Sequence, residues 1–256
     1  VVKRQNWRVA AASVQGVSHL RADIPCQDAH HFALHGEGAL VAAVADGAGS
    51  ALRGEVGAEV AARAAIEFLA EAALPGAETC AWETFLHETL KVARIAVEAQ
   101  AGLREMPVRE LATTLIVAVA TADCVAVAQV GDGAAVIESE EGVLALTRPH
   151  LGEHANETTF LIAPEALDVA EIRVWQGRAR HLALFSDGLQ RLALKLPEGT
   201  AHAPFFGPLF RFVEQAEDLN AAHSRLEAFL RSPRITDRAD DDLTLLLAYQ
   251  ATMGSP

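Results

Sequence analysis

Apolar residues recur along this chain with two different periods, and each change of period marks an element. Trp7–Val14, Ala29–Leu34 and Ala39–Ala45 are short apolar or β-rich runs bounded by turn residues, the pattern of strands. From about Glu55 to Leu74 the period lengthens: Val56, Val60, Ala64 and Phe68 return every four residues, as on one face of a helix, and Pro75–Gly76 ends it. A second helix is predicted from about Thr79 to Gly102, with Phe85, Leu86, Leu90 and Ile95 as its apolar side. Strand-like runs return at Thr113–Ala120, Cys124–Val130, Ala134–Ile137 and Val143–Leu146, and their tight connections predict an antiparallel meander. Residues 148–160 are polar and irregular. Val169–Val174 and His181–Phe185 read as two more strands, Pro204–Gln215 and Leu219–Leu230 as helices, and Leu243–Tyr249 as the closing strand.

Strands, helices, strands, helices and a last strand do not alternate as βαβ units do, which disfavours a doubly wound parallel sheet. The runs ALVAAVA and TLIVAVA are apolar on both faces, so their sheets must be covered on both sides. The predicted class is therefore α+β: a four-layer α/β/β/α sandwich, with two mostly antiparallel sheets face to face and helices outside. No linker, repeat or low-complexity tract interrupts it. We expect one domain over residues 1–250 and a short C-terminal tail, 251–256.

Composition narrows the function. A formal charge of −13, from 21 basic and 34 acidic side chains, disfavours non-specific binding to nucleic acid or an anionic membrane. Cys26, Cys80 and Cys124 are odd in number and lack zinc-type spacing, so they read as reduced, buried thiols of a cytoplasmic protein. No run approaches the roughly 18 apolar residues of a membrane span.

The candidate chemistry lies in the acidic turns. VADGAGS (44–50), VGDG (130–133) and FSDG (185–188) each place an aspartate where a strand ends in a glycine, and Asp240–Asp241–Asp242 precedes the last strand. One such pair is an ordinary turn. Several at strand ends could converge on one rim of a sandwich, where carboxylates fixed by a sheet make good ligands for hard cations.

Taken together and in order, CQDA (26–29), VADGAGS, ATT (112–114), VGDG, FSDG and DDLTLLLA (241–248) resemble the metal-dependent protein phosphatases of the 2C type. GEHANETTF (152–160) and APFFGPLF (203–210) are similar to its bacterial branch. The resemblance implies hydrolysis of phosphoserine or phosphothreonine in proteins, by a water or hydroxide shared between two Mn²⁺ or Mg²⁺ ions. It assigns Asp46 as the bridging ligand, the Gly47 carbonyl as a further ligand, and Asp187 and Asp241 as the carboxylates completing one metal's shell. Asp28 matches a position that holds metal-bound water, and Asp132 a ligand for a weaker third ion. It further implies a phosphoprotein substrate, a partner Ser/Thr kinase, and a flap over 148–160.

Three positions depart from the family pattern. Gln27 stands where a carboxylate is usual, Asp23 where many relatives carry a phosphate-binding arginine, and Ala48 where some place a proton-donating histidine. Arg21, His19 and Arg53 are the candidates to replace the missing arginine. The departures keep two other readings open: a catalytically silent module that binds phosphoproteins, and a hydrolase of small phosphoesters.

Overall fold

The computed structural model describes residues 6–36, 38–76, 78–149 and 158–251. Its elements follow in the order β1 (Asn6–Val14), α1 (Val17–Ala22), β2 (Asp28–Leu34), β3 (Leu40–Asp46), α2 (Gly54–Glu71), α3 (Thr79–Leu103), β4 (Leu115–Ala120) and β5 (Cys124–Val130). They continue with β6 (Ala134–Ser139), β7 (Gly142–Ala145), β8 (Glu171–Gln176), β9 (His181–Phe185), α4 (Gln190–Ala193), β10 (Leu194–Lys195) and β11 (Thr200–Ala201). α5 (Ala203–Glu214), α6 (Leu219–Leu230), α7 (Pro233–Thr236) and β12 (Leu243–Ala251) complete the chain. No helix among the described residues is long and apolar enough to cross a membrane.

Two five-stranded sheets carry the architecture, ordered β1-β12-β9-β6-β7 and β2-β3-β4-β5-β8, with every strand pair antiparallel. Three apolar layers explain how they stack. Val41, Ala43 and Ala45 of β3 face outward onto Ala58, Ala61, Ala65 and Leu69 of α2 and Leu86, Leu90 and Val97 of α3. Leu40, Ala42 and Val44 of the same strand face inward and meet Val9 and Ala11 of β1 and Leu246 and Ala248 of β12. On the far side, Ala10, Leu245 and Leu247 pack beneath Phe206, Phe210 and Val213 of α5 and Leu226 and Leu230 of α6. The result is the expected α/β/β/α sandwich. Burying a Leu or Phe side chain in such layers is worth about 1.5–3 kcal/mol.

Four expectations need correction. The meander does not form: β4 pairs with β5 and β6 with β7, but β6 belongs to the opposite sheet, beside β9. The chain changes sheets at Gly131–Gly133, where Gly131 adopts φ +109° and a Cβ on Gly133 would lie 2.5 Å from the Phe185 carbonyl oxygen. Only glycine at both 131 and 133, flanking Asp132, lets the chain turn so tightly between packed layers. On α3, Ile95 is exposed, and Trp82, Leu86, Leu90, Ala93 and Val97 form the buried face. The eighth strand begins at Glu171 rather than Val169. Of the cysteines, all three free, Cys80 is exposed and only Cys124 is fully buried.

Candidate metal centre

The inward faces of the strands change character toward one end of the sandwich. Reading every second residue, β3 runs Leu40, Ala42, Val44, Asp46, and β12 runs Ala248, Leu246, Thr244, Asp242. β9 ends Leu182, Leu184, Ser186; β4, read backwards, ends Ala118, Ile116, Thr114; and β2 ends Phe32, His30, Asp28. Because side chains alternate along a strand, each sheet delivers its polar residues to the same open end of the apolar seam. That end holds the acidic residues read from the sequence.

Asp28 and Asp46 lie directly opposite each other across β2 and β3. Asp46 is held by its own backbone: its N–H donates to Thr114 Oγ1 at 3.0 Å, and its carbonyl accepts from Thr113 Oγ1 at 3.0 Å and from the Thr114 N–H at 2.8 Å. Asp187, two residues beyond β9, lies beside the Asp46 carboxyl, close enough for each to shift the other's pKa. Asp132 sits on the corner between the sheets, where its carboxyl accepts from Thr158 Oγ1 at 2.7 Å and its carbonyl from Gln190 Nε2 at 2.6 Å. Asp241 is exposed at the rim, close enough to raise the pKa values of both Asp132 and Asp187.

Four of these carboxyls, Asp28, Asp46, Asp132 and Asp187, are unusually hard to ionise. Burial, then neighbouring carboxylates, pushes Asp28 up to about 7 and Asp187 up to about 6, and Asp46 well above the ordinary aspartate value. Asp132 rises for the same leading reason, burial. Hydroxyls from Ser186 and Thr244 partly oppose the shift at Asp28.

Two buried carboxyl oxygens, Asp28 Oδ1 and Asp187 Oδ1, have no hydrogen-bond partner, and the Gly47 carbonyl accepts none from the described residues. Desolvated acids sharing protons, with spare oxygens, are a donor set that a hard dication fits in place of those protons. Among the described residues, no three His, Cys, Asp or Glu side chains converge as a closed metal-binding group.

α2 closes one wall. A Cβ on Gly47 would lie 2.4 Å from the Gly54 backbone, so the loop after β3 rests directly on the start of this helix. The Gln27 amide nitrogen lies against Gly54 as well, and Gln27 Oε1 is buried without a partner. Ala48 is buried behind the loop.

The candidate phosphate ligands are dispersed. Arg21 is exposed on α1; Arg53 is exposed at the start of α2, 3.4 Å from Glu55 Oε1; His19 Nδ1 lies 2.9 Å from Asp242 Oδ2. Residues 150–157, including His150, His154 and most of the expected flap, lie outside the described residues.

Sequence reasoning missed Asp242. It is the buried member of the acidic run, and its carboxylate accepts from the backbone N–H groups of Gly16 at 2.6 Å and Gln27 at 2.5 Å. It thereby ties β12 to the ends of β1 and β2. Its inward position on β12, in step with Thr244 and Leu246, was the available signal.

Comparison with known proteins accords with this geometry. The family model described as protein phosphatase 2C matches residues 15–231. The chain is 35% identical over 252 residues to serine/threonine-protein phosphatase 3 of Escherichia coli (strain K12), covering 96% of this chain and 99% of that protein. The fold is similar to that of the serine/threonine phosphatase Stp1 from Staphylococcus aureus (TM-score 0.66, 15% identity, 95% of each chain). It is also similar to the catalytic domain of the serine threonine protein phosphatase PstP, solved in complex with two manganese ions (TM-score 0.64, 18% identity, 96% of this chain and 99% of that one). On its sequence and on the sandwich that gathers its aspartates at one rim, the chain belongs to the protein phosphatase 2C family and is an enzyme of that class.

Proposed function

We propose that this chain hydrolyses phosphoserine and phosphothreonine in proteins with the help of two Mn²⁺ or Mg²⁺ ions, and that a cognate Ser/Thr kinase supplies its substrates. The observation that carries this reading is the set of desolvated carboxyls at the end of the seam, with Asp46 and Asp187 in contact and Asp28 opposite. Asp46, the Gly47 carbonyl, Asp187 and Asp241 would hold the pair of ions, and Asp132 a weaker third. When bound, such ions lower the pKa of water and neutralise charge on a transferring phosphoryl group.

The chain's own residues supply placement. Thr113 and Thr114 fix the backbone of Asp46 so that its carboxyl stays between Asp28 and Asp187. Ser186 orients Asp28, and the Ser186–Asp187–Gly188 turn sets the next carboxyl beside it. Ala48 offers no proton, so the leaving alkoxide takes one from solvent at the open rim. Arg21 and Arg53 are exposed and are available to a phosphorylated substrate, and a flap over 148–160 would touch the protein around its phosphate. We place the activity in one domain spanning residues 1–250.

Gln27 supports a second reading, a catalytically silent phosphoprotein-binding relative, because a neutral amide replaces an expected carboxylate near the second ion. Hydrolysis of an aryl phosphate and of phosphopeptides, with and without added Mn²⁺, separates the two. Mn²⁺-dependent turnover, abolished together with metal binding in Asp46→Asn, is expected. Binding of phosphopeptide without turnover would favour the silent module, and efficient turnover of small phosphoesters alone would favour a metabolite hydrolase.

A further inference from the structure

A circuit of hydrogen bonds crosses the seam between the sheets behind the carboxylates. Ser13 and Thr244 face each other directly across β1 and β12, and Thr244 Oγ1 donates to Ser13 Oγ at 2.6 Å. Ser13 Oγ lies 2.8 Å from Nδ1 of His30, which reaches over from β2 of the other sheet. Two residues back along β2, Asp28 Oδ2 accepts from Ser186 Oγ at 2.7 Å, and Ser186 Oγ accepts from the Thr244 N–H at 3.0 Å. The Thr244 hydroxyl is also within reach of the Asp28 carboxyl, although its proton is aimed at Ser13. Asp28, Ser186, Thr244, Ser13 and His30 thus form a loop that begins and ends on one strand.

From these contacts we infer that His30, Ser13 and Thr244 are positioning residues for the reaction, holding the Asp28 carboxyl in place through Thr244 without touching substrate. The inference rests on the phosphatase reading of the site. Asp28 Oδ1 is buried without a partner, so the Ser186 hydroxyl on Oδ2, held by the Thr244 N–H and with the Thr244 side chain beside it, decides which way the free oxygen is turned. Thr244 has one hydroxyl proton to give, and Ser13, bonded in turn to His30, takes it, so Ser13 and His30 together fix the Thr244 side chain beside the Asp28 carboxyl. For stability alone, an apolar set of the same shape would serve this seam as well. A polar set here is explained by the carboxyl it orients.

The test compares Thr244→Val, Thr244→Ser, Ser13→Ala and the Ser13→Ala/Thr244→Val double variant. Calorimetric titration with Mn²⁺ alone, kcat and KM on p-nitrophenyl phosphate, and thermal midpoints are measured for each. Removing groups that orient a metal-site residue typically costs about 10–100-fold. Thr244→Val is expected to lower kcat and Mn²⁺ affinity about 10-fold or more, with KM nearly unchanged and no matching loss of folding. Thr244→Ser is expected to restore both. Ser13→Ala should act in the same direction and add nothing in the Thr244→Val background, because it works through that hydroxyl. If Thr244→Val fails to fold, Ser13→Ala and His30→Gln carry the same comparison. Wild-type kcat and Mn²⁺ affinity in Thr244→Val, no rescue by serine, or independent multiplicative losses would each overturn the inference. A wild-type chain that neither binds Mn²⁺ nor turns over would instead overturn the phosphatase reading beneath it.

Discussion

Asp28 near 7 and Asp187 near 6 owe their values first to burial and then to neighbouring charge, and both effects bear on stability as well as on chemistry. Each folded-state value lies above the ordinary aspartate value of 3.8, so between about pH 4 and 7 the metal-free fold keeps protons that the unfolded chain has released. That contribution is complete below about pH 4 and is lost as pH rises through 6 to 7. A dication must displace the same protons. Mn²⁺ affinity is therefore expected to rise steeply from about pH 5 to 8, with protons released; calorimetry in buffers of different ionisation enthalpy measures this, and pH-independent binding would contradict it. The same argument makes the cluster costly to fold without metal. Asp187→Asn is expected to stabilise the metal-free protein at neutral pH by about 1 kcal/mol or more while weakening Mn²⁺ binding. Denaturant titration with and without Mn²⁺ checks both signs, and an unchanged or lower metal-free stability would count against the repulsion argument.

At the scale of elements, small residues bring acidic turns close enough to interact. A Cβ on Gly188 would lie 2.2 Å from the Asp242 carbonyl oxygen, which locks the turn after β9 against the start of β12. Gly188→Ala is expected to cost about 2 kcal/mol and to lower Mn²⁺ affinity together with stability, since Asp187 and Asp241 flank that contact. Normal Mn²⁺ binding in a folded Gly188→Ala protein would show that the contact does not set the site. Most elements were legible in the sequence, because alternation and four-residue spacing follow directly from burial on one or two faces. α1, α4, α7, β10 and β11 were not, since pieces of two to six residues are too short to show a period. The false meander has another cause. Local pattern marks a tight turn at Gly131–Gly133, but whether the next strand rejoins its sheet depends on contact with β9, some 50 residues further on. The acidic site was legible as motifs. Which member of 240–242 is buried was not, because that depends on strand parity against two other strand ends.

For the whole molecule, the sandwich works as a frame with an apolar seam that turns acidic at one end. Leu246 and Val44 lie in the dry layer, Thr244 and Asp46 one step nearer the opening, and the helices outside hold both sheets at that spacing. No single element contains the site, so it exists only when both sheets are docked. This arrangement would make the proposed metal binding a property of the complete fold rather than of any one motif. Anomalous scattering from crystals soaked in Mn²⁺ tests that claim most directly. Two strong peaks are expected at the mouth of the seam, with Asp46 between them and the Gly47 carbonyl, Asp187 and Asp241 among the ligands. Peaks elsewhere on the surface, or none within reach of Asp46 and Asp187, would contradict the account.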